Sequence, residues 1–485
     1  MKGKKSAVLV LAATALLAVG CGLSKGSNEG GSESVSGDEI ITLRVMDWSD
    51  NINLWRKPFH DSYQEKVNPK VKIEYTMMTQ DQFKNTIVAL INSGDAPDLF
   101  PVPVGMKLPT AVAEGWLQPI NPYVTEEFLN RFEPVALTEG NTKIGDDVYC
   151  PANQVNNPGT LFFYNKDILV EAGLEPPRTY SEFLAACKKI TEKGAGRYYG
   201  LIDGGKQTSR LEMMVRTLTN MAGGKAGSYA LVNTVNGRAP FDSPEMIGVF
   251  RFLEQLQKDG SIHPDTMSIN ALEARALFAE GQAAFICQGP YCVNVWLRNN
   301  PGLNFGVMAP PVPDSAARGY IPEAEEGAYL GIYAKSKHPK EAGEYLMNLR
   351  SEAFEGPMVA DGGIISVLKG INDKYLTNPQ LREFYEVGRT VSIPSPIATH
   401  RSADVNNFYS EVKDVNPNLG AIAQGVMAGS IKDYQAALKG LADKSTAEWK
   451  RACEVVGLDY SVFEFPNWDP LKPYTDDDYA ALPKL

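Results

Sequence analysis

Few side chains in this sequence stand where catalytic chemistry would need them. The four histidines, His60, His263, His338 and His400, are far apart and show no metal-ligand spacing. Glu323, Glu325 and Glu326 form an acidic cluster of the kind that glycosidic acid–base work requires. Its composition reads more simply as a solvated loop. Asp476, Asp477 and Asp478 are calcium-type ligands, but the spacing and the glycine of an EF-hand loop are missing. No HExxH, Walker A, GxSxG or dinucleotide fingerprint occurs. No catalytic residue, metal or cofactor is therefore assigned, and the chain is expected not to be an enzyme.

Cysteine chemistry is different. Lys2, Lys4 and Lys5 precede an apolar run over residues 7–19, which ends in Ala18 and Gly20 before Cys21. The run is too short to span a bilayer, which takes ~20 residues, and has the length of a secretory signal. It resembles the lipobox of bacterial lipoproteins, which implies removal of residues 1–20 and acylation of Cys21. Residues 22–39 are Gly, Ser and Glu with almost no apolar side chains. Such a string cannot offset its ordering entropy and acts as a tether, so residues 21–39 are expected to be disordered. Five cysteines follow: Cys150, Cys187, Cys287, Cys292 and Cys453. An odd number at irregular spacing is not a disulfide framework. Cys287 and Cys292 flank a Gly-Pro turn and could pair, but free buried thiols are the expected state.

The elements that must position any site come next. Charged residues are 22% and hydrophobic residues 44%, ordinary for a globular protein, with a formal charge of −11. An acidic body argues against nucleic acid and anionic lipid as ligands. "ITLRVMDWSD" alternates Leu43 and Val45 with polar residues, and "VKIEYTMM" puts Val71, Ile73 and Tyr75 on one face; both read as strands. A helix starting near Pro58 is expected between them. Thr79 and Gln82 form a capping box for a helix with Phe83, Ile87, Leu90 and Ile91 on one face. "DLFPVPV" enters a third strand. Strand, helix, strand, helix, strand predicts a largely parallel α/β sheet.

A second block repeats the theme. "LFFY" is a buried strand, and Thr179 with Glu182 caps a helix carrying Phe183, Leu184, Cys187 and Ile190. "YGLI" is a strand, and "LEARALFAEGQAAFICQGPY" is a helix, a Gly281 break, a strand and a turn. "GAYLGIYAKSKHPKEAGEYLMNL" adds a strand and a helix opened by Pro339. Two capped helices are predicted at "IKDYQAALKGLADK" and, from Ser445 and Glu448, at "AEWKRACEVVG".

Taken in order, "INSGDAPDLF", "GWLQPI", "FFYNKDILVEAGLEPPRTYSEFLAACKKIT", "LFAEGQAAFICQGPY", "IYAKSKHPKEAGEYLMNL" and "IKDYQAALKGLADK" resemble the extracellular solute-binding proteins of bacterial sugar ABC transporters, the maltose-binding-protein-like group. The resemblance implies an α/β, two-lobed periplasmic-binding-protein-like fold of type II, with discontinuous lobes joined by a hinge. One lobe would hold residues 40–155 and about 305–355; the other would hold about 156–304 and 356–485. It further implies a monomeric receptor, which the acylated Cys21 would anchor on the outer face of the cytoplasmic membrane; Gly22 after the cysteine, and the anchor itself, suggest a Gram-positive bacterium. Such a receptor captures an oligosaccharide and delivers it to ABC permease subunits. A non-sugar solute in the same fold, or a polysaccharide-processing enzyme, are the alternatives. Leu161 replaces the family's small residue, Tyr291 stands where tryptophan is common, and residues 456–485 lie outside the common core.

Sugars are held by aromatic faces and planar polar groups. Asp47 and Trp48 end the first strand, where ligands of open α/β sheets bind. From the resemblance, Asn156 and Asn157 border the cleft at the first crossover, and Gln288 and Tyr291 follow the "AAFIC" strand, with Tyr291 as the stacking aromatic. His400 and Arg401 fall where the family brings a last segment across the cleft. Arg210 and Glu212, which open a helix, read as solvated charges.

Overall fold

Residues 41–47 form the strand that the alternation predicts, with Leu43 and Val45 buried, and it anchors a five-stranded sheet. The computed structural model describes residues 40–48, 53–78, 80–103, 106, 108–155, 158–227, 234–314, 318–323, 329–402 and 404–483. Cys21, the signal segment and the tether, as well as Thr79, Asn156, Asn157, Glu325 and Glu326, lie outside these residues.

The strand order in the first sheet is 71–77, 41–47, 99–101, 330–333 and 117–118. The first three run parallel, as strand–helix–strand units require. Strand 330–333 is antiparallel to both of its neighbours. The sheet is thus mixed, because its fourth strand arrives from a distant part of the chain and no crossover helix fixes its direction. The second sheet has the order 305–308, 161–165, 283–288 and 199–202. Every residue of 283–288 is buried, as expected where helices cover both faces.

Helix ends follow local signals. Thr179 and Glu182 form the capping box of helix 180–194. Gly281, at φ +78°, supplies the left-handed turn between helix 271–279 and strand 283–288. Two helices differ from expectation. The first runs Asn53–Lys66 with Pro58 inside it; buried Arg56, His60 and Tyr63 hold its start and middle against the proline's missing N–H. Residues 434–456 form one helix, not two. Asp433 caps it, Ser445 is buried within it, and Thr446 Oγ1 bonds back to the Ala442 carbonyl at 2.7 Å. Hydroxyls that resemble a cap in sequence are here spent inside the helix.

The chain changes sheets at points other than those expected. Strand 305–308 pairs with 161–165 in the second sheet, so the return to the first sheet comes later. Residues 365–369 bond to the first half: Glu133 N to Val367 O and Val155 N to Ile365 O at 2.8 Å, Lys369 N to Arg131 O at 2.9 Å. Short apolar strands fit either sheet edge, so their sequence does not name their partner. The C-terminal stretch builds its own core, with Val462, Phe463, Phe465 and Trp468 packed among Val405, Phe408 and Cys453. The run Asp476–Asp478 opens a short helix, and Asp478 accepts from Thr475 N and Oγ1 at 2.8 Å. All five described cysteines are free and buried, and burial pushes the Cys287 thiol up to about 12 and Cys292 to about 11. Among the described residues no helix is long and apolar enough to cross a membrane.

Candidate ligand-binding cleft

One wall begins where strand 41–47 ends. The Asp47 carboxylate is fully buried. It pairs with Arg56 and accepts from the Tyr329 hydroxyl, from Tyr75 at 3.1 Å and from the Trp48 backbone N–H at 2.6 Å. Arg56 also donates to Tyr329 and, at 3.2 Å, to Asn153 on the first crossover. His60 lies beside this cluster, with Nε2 at 2.8 Å from the Tyr345 hydroxyl. Burial, aided by Arg56, pushes its imidazole down to about 3, so it is neutral at physiological pH. Asp47 is therefore buried among protein partners and is absent from the lining of the cavity described below. What it positions is Trp48, whose ring meets Phe83 edge-on at 4.8 Å.

The opposite wall begins where strand 283–288 ends. Gln288 is fully buried. Its Oε1 accepts from Arg275 Nε and its Nε2 donates to Asp203 Oδ1, both at 3.1 Å. Arg210 donates to the Cys287 carbonyl at 2.6 Å and to the Tyr291 hydroxyl at 3.3 Å, and its Nε lies 3.9 Å from Asp203. Burial pushes the Asp203 carboxyl up, against the pull of Arg210. Arg210 is thus buried, not solvated, and Glu212 pairs with Arg216 at 2.8 Å. Gly289 is required in the turn, since a Cβ there would lie 2.4 Å from the Tyr291 ring and 2.8 Å from the Gly159 carbonyl. The Arg275 guanidinium lies over that ring, 4.7 Å from its centroid.

The two walls face one cavity of ≈430 Å³, lined by Trp48, Gln154, Arg275, Tyr291, Trp296 and Asn299 among others. That is within the range of small-ligand sites. Asn156 and Asn157 are outside the described residues, but Gln154 of the same crossover reaches the cavity. A larger cavity of ≈970 Å³ lies between helix 180–194 and Met308, Ala309, Pro310, Val312 and Arg318. Its walls come from the second half of the molecule alone and carry no aromatic ring, so we place the site at the smaller one.

His400 and Arg401 sit elsewhere. Arg401 Nη1 donates to the carbonyls of Ser461, Val462 and Glu464 at 2.5, 3.1 and 2.9 Å. It fastens the C-terminal core. His400 is exposed with its ring beside Tyr479, and neither residue lines the cavity. A histidine–arginine pair in a loop reads alike whether it meets a ligand or a chain terminus. Arg275 was the residue that sequence reasoning passed over. Its signal was a cation at i+3 from Leu272 in a helix whose other charge, Glu273, is taken by the capping box, and Leu272, Arg275 and Ala276 do share the cavity face.

Comparison with known proteins follows the same lines. The bacterial extracellular solute-binding protein family matches residues 48–354. A binding protein of Brucella abortus is 24% identical over 80% of this chain and 88% of its own. The multiple sugar-binding protein of Streptococcus mutans is 23% identical over 75% and 82%. An ABC transporter solute-binding protein from Thermotoga lettingae, solved with α-D-tagatose, superposes with a TM-score of 0.65 at 20% identity, covering 85% of this chain and all of that one. The fold is the two-lobed type II binding-protein fold. With its family match covering well over half its length, the chain belongs to the bacterial extracellular solute-binding proteins.

Proposed function

We propose that this protein captures an oligosaccharide between its two lobes and hands it to the permease subunits of an ABC importer. The observation that carries this reading is the shared cavity, into which Trp48 comes from the first sheet and Tyr291 with Arg275 from the second. A ligand touching both walls favours the closed arrangement by its differential contacts, which is how such a receptor couples binding to hinge motion. The aromatic rings and the amides of Gln154, Asn299 and Asn300 suit a polyol, whose rings have apolar faces and whose edges carry hydroxyls. The multiple sugar-binding name of the Streptococcus mutans relative supports the same class. The walls offer no pair of carboxylates among the described residues, so the site favours binding over glycosidic catalysis.

The lobes we assign are built on the two sheets, the first from residues 40–155 with about 321–376, the second from about 158–308 with 379–483. The chain is anchored through an acylated Cys21 outside a Gram-positive cell and acts as a monomer. A thermal-shift screen against oligosaccharides tests the ligand class, because a ligand of the native state raises the melting temperature. A panel without any shift contradicts the sugar reading. Mass spectrometry of the membrane fraction should show a lipid on Cys21, lost in Cys21→Ala; an unmodified N-terminus elsewhere contradicts the anchor.

A further inference from the structure

Among the described residues lining the cleft cavity, Arg275 is the single charged side chain. It makes no ion pair among the described residues. Its Nε is committed to Gln288 at 3.1 Å and its plane is held over Tyr291 at 4.7 Å. No partner among the described residues takes its two terminal nitrogens. The carboxylate behind it, Asp203, is fully buried, receives Gln288 at 3.1 Å and is flanked by Arg210 at 3.9 Å. Two guanidinium groups thus stand against one carboxylate. One positive charge is left at the cleft wall of a protein whose formal charge is −11.

A neutral sugar can accept hydrogen bonds from these nitrogens but leaves the charge unpaired. A guanidinium fixed by its Nε and by stacking presents its remaining nitrogens as a rigid fork that matches a carboxylate bidentately. Resting on the oligosaccharide reading above, we propose that the ligand is an acidic sugar, a hexuronate-containing oligosaccharide whose C6 carboxylate pairs with Arg275. Its ring is covered by Trp48 from the other wall. One unmatched cation fits the single negative charge of a uronate better than the double charge of a phosphate ester.

Titration calorimetry on the full chain tests this with oligomers of galacturonate, glucuronate and mannuronate, the same oligomers with their carboxyls reduced to hydroxymethyl groups, and hexose 6-phosphates. At least one uronide should bind about ten- to hundredfold more tightly than its reduced form, the range of a hydrogen-bonded charge pair. Added salt should weaken the uronide alone. Arg275→Gln should remove the preference for the uronide over its reduced form, and Arg275→Lys should restore part of it, which separates lost charge from a damaged fold. Equal binding of the reduced form, a preference for the phosphate, or a preference that survives Arg275→Gln overturns the proposal and leaves the sugar reading standing. If no carbohydrate binds, both fail.

Discussion

The two walls of the cleft are built to the same plan and to different ends. Each places a buried polar residue at the last position of a strand, Asp47 on one side and Gln288 on the other, and an aromatic residue just beyond it. On the first wall the charges cancel: one carboxylate meets one guanidinium, the Tyr75 and Tyr329 hydroxyls add hydrogen bonds to that carboxylate, and the cleft receives the Trp48 ring. On the second wall a neutral amide relays between Asp203 and Arg275, Arg210 is added, and the cleft receives a ring and a cation together. The first wall therefore spends its charge on stability and the second keeps some for recognition. Variants of the two walls should fail in different ways.

The largest effect should come from Arg56→Met. It leaves Asp47 buried without its counter-charge, which costs about 3–5 kcal/mol. Urea denaturation should show that loss; a variant as stable as the parent would mean that the first wall is not held by this pair. Trp48→Ala should leave stability near the parent value and weaken sugar binding by roughly a hundredfold, about 3 kcal/mol, because a large aromatic face is lost from the contact. Calorimetry on the folded variant reads this directly.

His60 gives a pH signature belonging to the first wall alone. Its folded value is lowered to about 3, against ~6.5 unfolded. The unfolded chain therefore binds the extra proton between these values, and stability is lost as pH falls from about 6.5 towards 3. At pH 5 the loss is about 2 kcal/mol relative to pH 7. His60→Gln should remove that portion of the acid sensitivity; an unchanged pH profile would show that the imidazole is not buried neutral. The smallest effect is expected at Tyr291→Ala, about tenfold in affinity or ~1.4 kcal/mol. Arg275 already covers part of the ring, so less of the ring is free to meet a sugar than at Trp48.

The difference between the walls also marks how far the sequence could be read. Trp48 and Tyr291 were legible as positions lining the cavity because strand ends and a Gly-Pro turn fix where the backbone points, whatever the partner. The strands themselves were legible for the same reason, with Leu43 and Val45 alternating and "AAFIC" apolar throughout. Asp47 and Gln288 were legible as positions but not as roles. Whether a polar side chain at a strand end meets ligand or protein depends on residues as distant as Tyr329 and Asp203, and a single sequence carries no register between them. Arg210 looked like a surface charge and Arg275 stood out not at all, because helical spacing does not say what covers the face. The sheet partner of strand 305–308, the continuity of helix 434–456 and the anchoring part of Arg401 were hidden likewise, since each is decided by long-range packing over local signals.

Lobe closure depends on one ligand touching both walls. Solution scattering with and without a sugar that gives a thermal shift tests this most directly. The free lobes should close on it as rigid bodies, so the radius of gyration should fall modestly at saturation, and Trp48→Ala and Tyr291→Ala should each need more sugar to reach the same change. A profile unchanged by saturating sugar, or one that changes equally in both variants and the parent at the same concentration, would contradict the shared cleft.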